Sequence, residues 1–194
     1  MSEQEVVWNF VSAELDSTRW RRRLLSKLSP TLVAKVRSGD FSSVSKSDHT
    51  ELKRALVDHR GRFVEGLLQP TTAWSSVALD KSSLADLRVV AEVDFVARAP
   101  SRRLGEFVEA ADSRARPISD FDDPYFEIRG SFDPKRSRGE PILVASDSNG
   151  PFTIAEGLTR LACHVSLDQE TTVRTGTIEA ILGVSPHLAN WRWL

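Results

Sequence analysis

The stretch Glu140–Val165, "EPILVASDSNGPFTIAEGLTRLACHV", decides how the rest of the chain is read. Two aliphatic-rich runs, Pro141–Ala145 and Pro151–Glu156, flank Asp147-Ser148-Asn149-Gly150, and after Gly157 the apolar residues Leu158, Leu161, Ala162 and Val165 follow helical spacing. The pattern predicts strand, hairpin, strand and helix in that order. Asn149-Gly150 between apolar runs predicts a type I′ turn, because both residues tolerate positive φ. A strand that enters a helix through glycine leaves the first helix amides without intrahelical acceptors and aims the positive end of the helix dipole at the same spot. Such a junction accepts anions. Gly157 would let a phosphate approach the backbone, Thr159 offers a hydroxyl donor, and Arg160, one turn into the helix, offers a planar fork suited to phosphate oxygens. The competing reading gives Gly157 only a turn and pairs Arg160 with a carboxylate such as Glu156 or Asp168. The spacing alone does not choose between them.

Outward from this core, the chain before it reads as helices. Val6, Val7, Phe10, Val11 and Leu15 form one apolar stripe, and Trp20, Leu24, Leu25 and Leu28 a second. Pro30 suits the first turn of a third helix through Leu32, Val33 and Val36, which Gly39 closes in a left-handed conformation. Phe41 to Ser47 is a serine-rich loop. Asp48 followed by Glu51 resembles a capping box opening a helix that carries Leu52, Leu56, Val64 and Leu68 and ends at Pro70. Further helices start near Ser83 and Ser101, the second with Leu104, Phe107, Val108 and Ala111 on its core face. Arg116 to Phe121 reads as extended, Asp123 to Pro141 as a proline- and glycine-punctuated loop region with room for one short helix or strand, and "TGTIEAILGV" (Thr175–Val184) as a last strand. The expected fold is α+β: a helical region over 1–112 packed on a mixed sheet built from 113–194.

The chain has 194 residues, 40% hydrophobic and 27% charged, with a formal net charge of -1, which describes a globular chain with no overall attraction to polyanions. One cysteine excludes an internal disulfide framework. With no signal-like start and no apolar run of membrane-spanning length, a cytoplasmic location and no membrane partner are expected.

Strand, hairpin, a strand ending in an acid and glycine, and a helix opening Gly-x-x-Arg together resemble the core of the ParB/sulfiredoxin-like superfamily. The likeness covers 113–194. Gly157 and Arg160 fill the marked positions, and the alanine expected three residues later falls on Cys163, with Ala162 one residue early. The resemblance implies that Gly157 and Arg160 contact the phosphate of a nucleotide or nucleic acid, beside the Thr159 hydroxyl; the preceding loop with Lys135, Arg136 and Arg138 reads equally as a clamp for that phosphate and as a mobile surface loop. It implies Mg²⁺ where the ligand is a nucleoside triphosphate. Glu156, standing where kinase-like members carry aspartate, would bind metal, act as a general base, or cap the helix. The implied chemistries are nucleotide hydrolysis, phosphoryl transfer or nuclease action, and the alternative from another class is a non-catalytic regulatory or defence module. Leu158 and Thr159 stand where sulfiredoxins place their reactive cysteine, which argues against sulfinic acid reduction. Arg160 to Leu194 is too short for the final strand and the helix-turn-helix of partition proteins as well.

Other candidates read more plainly as structure. The run "RWRRR", Arg19–Arg23, mixes arginine and tryptophan as nucleic-acid-binding segments do, and equally as a solvated helix face does. The histidines, His49, His59, His164 and His187, have no metal-ligand spacing. Asp120, Asp122 and Asp123 suit either Mg²⁺ or a turn. Apolar residues on more than one side of the helices in 1–112 suggest a contact to a second copy or a protein partner.

Overall fold

The computed structural model describes residues 1–17, 20–132, 139–170 and 176–194, the side chains of 168–170 excepted. It is an α+β fold in which helices come first and a four-stranded mixed sheet is completed toward the C-terminus. The expected loop arginines Arg136 and Arg138, with Lys135, lie outside the described residues.

Helix α1 (Glu3–Asp16) opens with a capping box. Glu5 donates its backbone N–H to Ser2 Oγ at 3.3 Å, and Ser2 donates its own to Glu5 Oε2 at 2.6 Å. It buries the predicted stripe of Val6, Val7, Phe10, Val11 and Leu15. After the short α2 (Arg21–Leu25), α3 (Pro30–Ser38) begins on its proline and ends at Gly39, with φ 75°, as the sequence predicts. Helix α4 (Lys46–Arg60) is capped three residues earlier than expected: Ser45 is the N-cap, and Asp48 is its reciprocal acceptor rather than the cap. The helix expected to continue to Leu68 breaks at Gly61, and α5 (Arg62–Leu67) follows.

Strand β1 (Ala73–Asp80) lies inside the stretch read as helical. Its alternation is weak because it is an edge strand whose serines face solvent. The helix expected near Ser83 is a 3₁₀ segment over Lys81–Asp86, and α6 (Val93–Arg98) precedes α7 (Leu104–Asp112), which buries the four predicted residues. The expected extended stretch is corrected by α8 (Ser119–Arg129), which starts within it, runs through Pro124 and is the helix for which the following loop region left room. Proline removes one ladder bond, but Phe121 and Tyr125, four apart, are both buried on one face, and that burial overrides the local preference.

Strands β2 (Ile142–Ala145) and β3 (Thr153–Glu156) form the expected antiparallel pair, followed by α9 (Leu158–Glu170) and β4 (Thr177–Val184). The connection is not a two-residue type I′ turn. Gly150 takes φ 85°, Asn149 stays outside the left-handed region, and Gly150 donates to the Asp147 carbonyl at 3.1 Å within a longer loop.

The sheet order is β1-β4-β2-β3. The β1/β4 pair is antiparallel from Ala73↔Val184 to Asp80↔Thr177, and β4/β2 is parallel. A boundary at 112/113 therefore separates β1 from its pairing strand. Pleating sorts the central strands between two cores. Ile142, Val144 and Ile181 meet Phe10, Leu52 and Leu56 of the early helices, whereas Leu143 and Leu182 meet Phe107, Tyr125 and Leu161 on the other face. The apolar stripes that suggested a second surface thus close on one another and on the sheet. Among the described residues, Met1 and Val93 are the exposed large hydrophobics, and no helix is long and apolar enough to cross a membrane.

Candidate functional site

A cleft of about 610 Å³ opens where β3 ends and α9 begins, walled on the opposite side by the C-terminal ends of α1 and α4 and at its base by α8. Glu156, Gly157, Thr159 and Arg160 all line it. Gly157 has φ 88°, a conformation that L side chains rarely adopt, and a Cβ there would stand 3.1 Å from Pro141 Cα and from an Arg160 guanidinium nitrogen. The first helical bond of α9 runs from Leu161 N–H to the Gly157 carbonyl at 2.9 Å.

Arg160 does not project into open space. Its Nη2 donates to Glu156 Oε2 and its Nη1 to the Gly139 carbonyl, and the Arg160 and Glu156 side chains are 15% and 14% exposed. The Glu156 carboxylate thus stands at the residue that precedes Gly157 and α9, with Arg160 as its cation. Burial pushes the Glu156 carboxyl above its ordinary value. Arg160 pulls it back, and the charge of Glu14 raises it again. Of the two readings of the sequence, the pairing of Arg160 with Glu156 is the one seen, and the pair forms part of the cleft wall.

The facing wall was not foreseen. Glu14, 1% exposed, accepts from Arg60 Nε at 2.8 Å through Oε1 and pairs with Arg60 Nη2. Its Oε2 lies 3.6 Å from His59 Nε2, and neither of these buried atoms has a hydrogen-bond partner among the described residues. The Arg60 guanidinium sits 4.5 Å from the centroid of the Trp20 ring, which meets the His59 ring edge-on at 5.2 Å. The sequence does carry a signal for this wall. Glu14 interrupts the apolar face of α1, and a carboxylate among core positions needs a buried cation.

Two contacts bring the walls together. Asn9 Nδ2 donates to the Glu140 carbonyl and Glu140 N–H donates to Asn9 Oδ1, both at 2.7 Å, which clamps α1 to the strand entry. Gly139, with φ 72°, lies so close to α1 that a Cβ would stand 3.2 Å from Ala13 Cβ. Its carbonyl is the one that holds Arg160.

The remaining candidates sort differently. Arg21, Arg22 and Arg23 are exposed and Leu24 is buried, so these three arginines form a solvated face, with Arg23 at the cleft rim, while Arg19 lies outside the described residues. Asp122 is committed to Arg98, donor to acceptor at 2.6 Å on both arms, and among the described residues no three metal-ligating side chains gather. His164 is buried against Phe132, and burial pushes the Cys163 thiol up to about 12, which leaves it a packed, unreactive group. The C-terminal tryptophans pack on α5: the Trp191 ring centroid is 4.9 Å from that of Phe63.

Comparison with known protein families, curated proteins and solved structures finds no match for this chain.

Proposed function

We propose that the cleft binds a phosphate-bearing ligand, a nucleotide or a nucleic-acid phosphate, at Gly157, Thr159 and Arg160. The observation that carries this reading is the Glu156 carboxylate, paired with one arm of the Arg160 guanidinium in the cleft wall at the start of α9. It is an internal anion in an anion receptor, and an incoming phosphate takes its place. The resemblance of Glu140–Val165 to the ParB/sulfiredoxin-like core points the same way. Glu156, whose proton is held more tightly than an ordinary carboxyl's, is the group to carry a proton in hydrolysis or phosphoryl transfer.

Arg160→Ala is expected to weaken nucleotide binding by about 1.5 to 3 kcal/mol, the scale of hydrogen bonds to a charged group. Titration calorimetry with ATP, CTP, GTP and short single-stranded DNA, each with and without Mg²⁺, measures it. Absence of binding by every ligand would overturn the proposal, and a melting-temperature loss that accounts for the whole affinity loss would make Arg160 structural.

Glu156→Gln keeps the shape and removes the competing charge, so this variant should bind the phosphate group more tightly than the wild type. The pH dependence follows the same logic. Because the folded carboxyl lies above its ordinary 4.5, falling pH protonates Glu156 before an ordinary glutamate and releases Arg160. Binding of inorganic sulfate should therefore strengthen as pH falls from neutral toward 4.5 in the wild type and stay flatter in Glu156→Gln. The contribution of Glu156 to stability has the same sign: it is fully present below 4.5 and lost as pH rises through the raised value. Equal pH slopes in the two proteins would remove Glu156 from the anion site.

A further inference from the structure

We infer that Glu14 and His59 receive a sugar hydroxyl of the ligand, so that the cleft takes ribonucleotides in preference to nucleotides lacking those hydroxyls. The inference rests on the phosphate reading of the opposite wall. Its own basis is independent: Glu14 Oε2 and His59 Nε2 belong to side chains 1% exposed, have no partner among the described residues, and lie 3.6 Å apart. That separation is too long for a direct hydrogen bond, yet it lets both atoms reach one polar atom placed beside them. Buried polar groups left without partners are destabilising, so the pair marks a place that a ligand atom completes.

The chemistry of the two atoms selects that atom. A carboxylate oxygen accepts only, so the ligand group must donate to it; the imidazole nitrogen donates or accepts according to tautomer. A hydroxyl satisfies both when His59 Nε2 carries the imidazole hydrogen: it donates its own hydrogen to Glu14 Oε2 and accepts the Nε2–H through a lone pair. An anion is repelled by Glu14. A cation is poorly suited, because Arg60 already neutralises that carboxylate through Nε and Nη2. The receptor also lies within electrical reach of the phosphate wall, since the charges of Glu14 and Arg60 both act on Glu156. A ligand that spans the two walls carries a phosphate and a hydroxyl on one small scaffold, as a ribose phosphate does, and a cleft of about 610 Å³ suits a nucleotide. The Trp20 ring beside His59 and Arg60 supplies an aromatic flank for such a ligand.

The test uses the intact chain and calorimetry with the four ribonucleoside triphosphates, their 2′-deoxy and 2′,3′-dideoxy counterparts, and pyrophosphate. The ribonucleotide that binds most tightly should lose roughly 10- to 100-fold in affinity when its hydroxyls are removed, the range for a hydrogen bond to a charged acceptor. Glu14→Gln should reduce that discrimination, and this comparison reads a ratio within one variant. The wild-type panel decides the matter even if that variant does not fold. Equal affinity for ribo and dideoxy forms would overturn this inference and leave the phosphate site standing. Failure of every nucleotide and of pyrophosphate to bind would overturn the phosphate reading and this one with it. Tighter binding of an amino-sugar analogue than of the hydroxyl form would replace the hydroxyl with an amine and so overturn the assignment.

Discussion

Asp122→Ala is expected to lower the unfolding free energy by about 3 to 5 kcal/mol, because it strands a buried guanidinium. The Arg98 side chain is fully buried, with Nη1 and Nη2 each 2.6 Å from an Asp122 oxygen and further donations to the Arg116 carbonyl at 2.9 and 3.2 Å. Its cation lies 5.0 Å from the Phe107 ring centroid and 5.7 Å from that of Phe121. Asp122 also accepts the Ile118 N–H at 2.7 Å at the entry to α8, so the same change unties the helix start. Removing both charges in Arg98→Met/Asp122→Leu should recover much of the loss, since two well-packed apolar chains need no counter-ion. Urea unfolding of the two variants and the wild type checks this. A loss under about 1 kcal/mol in the single variant would mean that water or another acceptor reaches Arg98.

Phe107→Ala is expected to destabilise the chain by about 3 to 5 kcal/mol through the cavity it leaves. Phe107 is fully buried, with ring centroids 5.0 Å from Phe95 and 4.7 Å from Phe121. It links α6, α7 and α8 on the sheet face opposite α1, and it also supports the Arg98 cation. The melting temperature should fall by roughly 10 °C, as a change of this size does in a chain of this length. Combined with Asp122→Ala, the losses should not add, because both variants disturb the packing around one guanidinium. Additive losses in a double-mutant cycle would show the ring and the ion pair to be independent.

What the sequence discloses here is what neighbours in the chain determine. Pro30 and Gly39 bracket α3, and the change of period at Gly157 gives the β3–α9 junction, because the cause of each lies within a few residues. Strand β1 is hidden because its apolar contacts change face along its length: Trp74 packs on one core and Val77 and Leu79 on the other, with Ser75 and Ser76 exposed between them. Helix α8 is hidden behind Pro124, whose local signal loses to the burial of Phe121 and Tyr125. The cleft divides in the same way. The Glu156–Arg160 wall belongs to one contiguous motif, whereas Glu14 meets His59 and Arg60 only because α1 packs on α4. An acid among the apolar positions of α1 shows that a buried partner is needed, but no local pattern says which residue supplies it.

Strand β4 occupies the gap between β1 and β2, yet it is the last of the strands to leave the ribosome. While the polypeptide is still emerging, β1 has no ladder partner and β2 has only β3, so both edges of β1 and one edge of β2 stay open. Pairings that join Ala73 to Val184 carry a large loop-closure entropy and form slowly. Completion of the sheet therefore waits for β4, and a nascent chain that lacks it exposes strand edges that the folded protein covers.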